Sequence, residues 1–78
     1  MMKVTIVSPE RVLYKGEAES VTVPGTKGRF EVLQHHAPII SSLGQGEVHC
    51  KGNVATTVEI KSGFIDVARN EVFICVEV

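Results

Sequence analysis

The stretch Glu19-Ser20-Val21-Thr22-Val23-Pro24-Gly25-Thr26-Lys27-Gly28-Arg29-Phe30-Glu31-Val32-Leu33 decides the fold class. Val21 and Val23 alternate with other residues, and so do Phe30 and Val32. A period of two puts each pair on one face of a strand. Between the two runs, Pro24-Gly25-Thr26-Lys27-Gly28 is the strongest turn signal in the chain. Pro-Gly suits a type II turn, with Gly supplying the positive φ at the third position. Strand, turn and strand read as a hairpin.

The same grammar extends in both directions. Met2 to Ser8 reads as a strand with Val4 and Ile6 on one face, followed by a turn at Ser8-Pro9-Glu10. Arg11 to Lys15 is a short strand, Gly16 permits a bend, and Glu17 to Val23 resumes extended. Beyond Leu33, Gln34-His35-His36-Ala37-Pro38 is a polar crossover, since Pro38 holds Ala37 extended. Ile39, Ile40 and Leu43 follow as an apolar cluster closed by Gly44-Gln45-Gly46. Glu47 to Lys51 and Val54 to Lys61 form a hairpin around Gly52-Asn53. Ser62-Gly63 separates it from Phe64 to Ala68, and Arg69-Asn70 is a tight turn into Glu71 to Val78. Asn tolerates the left-handed conformation that such turns need.

Composition agrees with strands. The 78 residues include 13 Val and 6 Ile against 3 Leu and 4 Ala. β-branched side chains favour strands, whereas the best helix formers are scarce here. No window carries clean helical periodicity. Eight to ten short strands with turn signals every 6–12 residues predict a single all-β domain over residues 1–78, a β-sandwich or flattened barrel.

Charge and length exclude several roles. The net charge of −1 offers no basic excess for phosphates, which argues against nucleic-acid binding. No apolar run approaches the roughly 20 residues of a membrane-spanning helix. Cys50 and Cys75 stand 25 residues apart without a Cys-x-x-Cys, so both read as reduced structural thiols.

No residue set reads as catalytic, cofactor-binding or metal-binding. His35 and His36 are neighbours on an extended chain and point apart, as do His49 and Cys50. A metal site of His36, His49 and Cys50 needs the loop to fold over. Gly25-Thr26-Lys27-Gly28 lacks the phosphate-loop pattern, and Ser62-Gly63 lacks the flanking glycines of a nucleophile elbow. Lys51, beside Gly52-Asn53, stands where a lipoyl or biotin carrier presents its lysine, but without the flanking residues of such carriers. A carrier domain and a free-standing β-sandwich binding module are the alternatives to the reading that follows.

Gly28-Arg29-Phe30-Glu31-Val32-Leu33-Gln34-His35-His36-Ala37-Pro38-Ile39-Ile40 resembles the signature of the ε subunit of the rotary F-type ATP synthase. The family pattern there is a Gly, a hydrophobe, and a strand running into Pro-Gly-His-Ala-Pro and two apolar residues. The opening, from Val4 to Gly25, and the end, Ser62 to Val72, fit the same family.

The resemblance implies a ten-stranded flattened sandwich of two five-stranded sheets. It implies a non-catalytic element of the central stalk of a proton-translocating synthase. Such a domain packs against the γ subunit, rests on the polar loops of the c-ring, and meets the membrane only through the complex, on the bacterial cytoplasmic face. No bound nucleotide is expected. By family position, Lys27, Arg29, Gln34 and His35 would lie on the c-ring side, and His36, Ile39, Ile40 and Leu43 on the γ side.

Two departures stand out. Gln34-His35 replaces the family's Pro-Gly, and Arg29 stands where the family often has an acidic residue. Many ε subunits continue into two inhibitory helices. This sequence ends at Val78, so a short form without that brake is expected.

Overall fold

Strands that bury one face must find a partner layer, and here the sheet supplies it by curling over on itself. The computed structural model describes residues 1–78 and contains no helix. Its nine strands are β1 (Met2–Val7), β2 (Val12–Ala18), β3 (Ser20–Gly25), β4 (Gly28–Leu33), β5 (Ile39–Leu43), β6 (Gly46–Lys51), β7 (Thr56–Ile60), β8 (Ser62–Ala68) and β9 (Glu71–Glu77). They follow one hydrogen-bonded path, β2-β1-β9-β8-β5-β3-β6-β7, with β4 paired to β3 off that path. The expectation of ten strands in two five-stranded sheets is thus replaced by nine strands in one curled sheet.

The physical reason lies in β3. Ser20, Val21 and Thr22 pair with β6, whereas Gly25 pairs with Leu43 of β5. The change of partner falls at Pro24, which has no N–H to donate. Its carbonyl accepts from Gly44 N–H at 2.8 Å, and Thr26 N–H donates to Ser42 O at 3.1 Å. One strand therefore belongs to both layers and stitches them together.

Those bonds also move the first turn. Pro24 and Gly25 stay extended at the end of β3, and the chain reverses at Thr26-Lys27, between the paired Gly25 and Gly28. Gly28 takes a φ of 129° there. The turn at Arg69-Asn70 matches its expectation: both residues have positive φ, 53° and 61°, as a type I′ hairpin requires. The β6–β7 connection is longer than Gly52-Asn53, because β7 starts only at Thr56. Ile39 to Leu43, read as an apolar cluster, is the strand β5.

Inward positions from every strand form one core of 16 buried apolar residues, from Met2, Val4 and Ile6 on β1 to Val72, Ile74 and Val76 on β9. Each fully buried Val or Ile contributes about 1.5–3 kcal/mol relative to exposure. Leu43 is among them, only 2% exposed.

Ser62-Gly63 proves to be part of β8 rather than a separator. Gly63 lies opposite Val76 in the ladder. A Cβ there would collide with the carbonyl oxygen of Cys75 and come within 3.0 Å of Val76 Cα. We expect Gly63→Ala to destabilise the fold by about 2–3 kcal/mol, since overpacking against backbone has no soft side chain to yield. Urea denaturation checks this; an unchanged midpoint would refute the close approach.

Candidate functional site

Three surfaces carry the residues singled out from the sequence. At one end of the fold is the β3–β4 turn, with Lys27 and Arg29 exposed. Arg29 is paired with Pro24, and its Nη1 lies 3.7 Å from where a Cβ on Gly46 would stand. At the opposite end is the crossover that follows β4, with Gln34 and His35 exposed. Phe30 to Leu33, four residues of extended β4, stand between Arg29 and Gln34, roughly 16 Å along the strand at 3.3 Å per residue. Lys27 and Arg29 thus stand at the end of β4 opposite to Gln34 and His35.

The crossover is built around Asn70. His35 N–H donates to Asn70 Oδ1 at 2.9 Å. Asn70 Nδ2 donates to Met1 O at 3.4 Å, and Lys3 N–H donates to Asn70 O at 3.2 Å. One side chain in a type I′ turn thus ties the crossover to the first strand. His36 is half-buried, with Nδ1–H donating to Ala37 O at 2.6 Å. His35 occupies the left-handed region, with φ 63°. This is the position where the family pattern places Gly, so the substitution keeps the backbone and accepts its strain.

The third surface is the outer face of β5, β8, β9, β1 and β2. Registers across these strands align Ile40, Asp66, Phe73, Thr5 and Lys15 in one row. The neighbouring row holds Ser42, Phe64, Cys75, Val7 and Val12. Ile40 is 75% exposed, Val12 57%, Phe64 47% and Phe73 44%, so apolar side chains from four strands stand on this face. Beside them lies a depression of about 350 Å³ bounded by Pro9, Phe64 and Cys75. Exposed apolar patches of this kind mark partner sites.

Of the four γ-side residues expected from the sequence, only Ile40 points outward into this face. Ile39 packs half-buried against the core. Leu43 is a core residue and offers nothing to a partner, because its outward neighbours Ser42 and Gly44 take that direction. Phe64, Phe73, Cys75 and Val12 were missed. The signal for Phe73 and Cys75 was present: Val72-Phe73-Ile74-Cys75-Val76 is apolar throughout, and a strand apolar on both faces is one to be covered on both. Cys75 is accordingly a half-exposed thiol of the outer face rather than a core residue.

The residues weighed for chemistry do not converge. No three His, Cys, Asp or Glu side chains stand together as metal ligands. Cys50 faces the core, and burial pushes its thiol from 9.0 up to about 11. His49, its neighbour, is on the outer face. Its Nε2–H donates to Glu47 Oε1 at 3.1 Å, and its Nδ1 accepts from Thr57 Oγ1 at 3.0 Å. This hydroxyl–imidazole–carboxylate chain has the order of a catalytic relay, yet it lies on an open sheet surface with His49 about half exposed. Lys51 is the last residue of β6 and pairs with Ser20 rather than projecting from a tip.

Residues 1–78 match the family described as ATP synthase, Delta/Epsilon chain, beta-sandwich domain. The chain belongs to this family. The epsilon-type domain is 42% identical over 74 residues to an ATP synthase epsilon chain of Leptospira borgpetersenii, covering 94% of this chain and 58% of that relative. It is 40% identical over 74 residues to the ATP synthase epsilon chain of Caulobacter vibrioides, covering 94% and 86%. Among solved structures, the Euglena gracilis mitochondrial ATP synthase (OSCP/F1/c-ring) contains a similar chain, with TM-score 0.85 and 21% identity, covering 94% of this chain and 48% of that one. The central stalk and c-ring of the Tetrahymena thermophila enzyme contains another, with TM-score 0.83 and 16% identity over 99% and 63%. At such identities the structural likeness speaks for the epsilon-type fold.

Two outcomes follow for this domain. His35→Gly should raise stability by about 0.5–1 kcal/mol, since release of left-handed strain outweighs the flexibility glycine brings to the unfolded chain. A lower melting temperature would show that His35 is held by more than its N–H. The Cys50 thiol has a folded value above its unfolded one, so its contribution is whole below pH 9 and is lost between about pH 9 and 11. The stability gap between wild type and Cys50→Ala should narrow over that window in denaturant titrations. A constant gap would place the thiol in contact with solvent.

Proposed function

We propose that this chain is a rotor subunit of a proton-translocating F-type ATP synthase, coupling rotation of the c-ring to the γ subunit and the catalytic head. The observation that carries the reading is the outward apolar face of β5, β8, β9, β1 and β2 on an epsilon-type sandwich. Torque requires a part that does not shear. A sheet hydrogen-bonded without interruption from β2 to β7 is such a part.

In this reading the outer face, with Ile40, Phe64 and Phe73, packs on γ, and half-buried His36 borders it. Lys27 and Arg29, at the β3–β4 end, face the polar loops of the ring. Gln34 and His35 at the far end serve the fold rather than the ring. The domain binds no nucleotide and performs no bond chemistry. It reaches the membrane only through the complex, on the bacterial cytoplasmic face.

The test is capture of γ and detergent-solubilised c-ring by the tagged chain, followed by proton pumping in a synthase reconstituted with it. Capture of neither would favour a free-standing binding module. Arg29→Glu should weaken association with the ring about fivefold, equivalent to one ion pair of about 1 kcal/mol, and lower ATP-driven proton pumping accordingly. Unchanged pumping and ring capture would remove Arg29 from that contact.

A further inference from the structure

Asp66 is the only aspartate in the chain, and it stands in the middle of the outer apolar face. Its lateral neighbours in the ladder are Ile40 on β5 and Phe73 on β9. Two residues before it on the same strand face is Phe64; two after it is Ala68. No Lys, Arg or His nitrogen lies within 4.0 Å of its carboxylate, since the ion pair of the molecule is His49 with Glu47. The nearest cation in its own row is Lys15, three strands away, at roughly 14 Å from the spacing of neighbouring strands.

A bare carboxylate among apolar side chains is stable while water reaches it. Once a partner covers Ile40, Phe64 and Phe73, that water is expelled. An unpaired buried carboxylate costs several kcal/mol, so an apolar partner alone would be rejected. We propose that the occupant of this face is a protein surface, apolar for the most part, that carries one Lys or Arg aimed at Asp66. This rests on the reading of the face as the stalk contact and names the chemistry of that contact. Asp66 then selects and orients the partner, while the aromatic residues supply the burial.

Charge decides against the other occupants. An anionic membrane surface would meet only Lys3 and Lys15, at the far side of the face, and would be repelled by Asp66; recruitment to such a surface takes a cluster of about 4–8 Lys or Arg. A two-fold contact centred on the patch would bring two Asp66 carboxylates together.

The experiment measures binding of the 78-residue chain to the synthase γ subunit across a range of ionic strength. Asp66 is exposed and outside the core, so Asp66→Asn should keep the melting temperature. The variant should bind about tenfold or more weakly and lose most of the salt dependence. Asp66→Lys should bind more weakly still. Phe64→Ser and Phe73→Ser should weaken binding while keeping its salt dependence. If the phenylalanine variants lose affinity and Asp66→Asn does not, the cation is overturned and the docking face stands. If none of them loses affinity, the docking face itself is refuted. Concentration-dependent self-association of the wild-type chain, strengthened in Asp66→Asn, would put a second copy on this face and overturn the proposal.

Discussion

The divided hydrogen bonding of β3 is the constraint on which the rest of the structure depends. A sheet of nine short strands can hide its apolar face only by closing over itself. Closing requires a strand that leaves one layer and enters the other. Pro24 makes the exchange inexpensive, because it has no N–H to strand between partners. From that single crossing follow the position of β5, the extended state of Pro24-Gly25, and the burial of Leu43. The tip that bears Lys27 and Arg29 is likewise placed by it.

Much of this was legible in the chain. Alternation at Val4 and Ile6, at Val21 and Val23, and at Phe30 and Val32 announced strands, and they are strands, although β3 is covered on both faces, with Ser20 and Pro24 buried as well as Val21 and Val23. Arg69-Asn70 announced a tight turn because Asn accepts a positive φ. What escaped was tertiary. Pro24-Gly25 had the local chemistry of a turn, but bonds to Ser42 and Gly44, some 18 residues on, hold it straight. Ser62-Gly63 had the look of a break, yet Gly63 is there so that two strands can touch.

The candidate site was legible in a weaker sense. Local sequence cannot say which of Ile39, Ile40 and Leu43 faces out, because a shift of one residue inverts the answer. The crossover at Gln34 to Pro38 sets that phase, and it is set from outside by Asn70. The separation of the two ends of β4 has a simpler reason. Lys27 and Gln34 are near in sequence, but an extended strand spends its residues on distance. Conversely, the apolar run at Val72 to Val76 held the second aromatic of the outer apolar face in plain view. The face itself appears only when four strands from distant parts of the chain are laid side by side.

The parallel pairing of β1 with β9 carries one more consequence, for the birth of the molecule. Val4 lies beside Val72, so the first strand is held by the last. During synthesis β1 can acquire only its hairpin partner β2, and its other edge stays open until β9, at residues 71–77, has left the ribosome. Contacts of such long sequence separation are slow to form. The domain therefore cannot close stepwise from its N-terminus, because β1 gains its second neighbour only when β9 enters between it and β8.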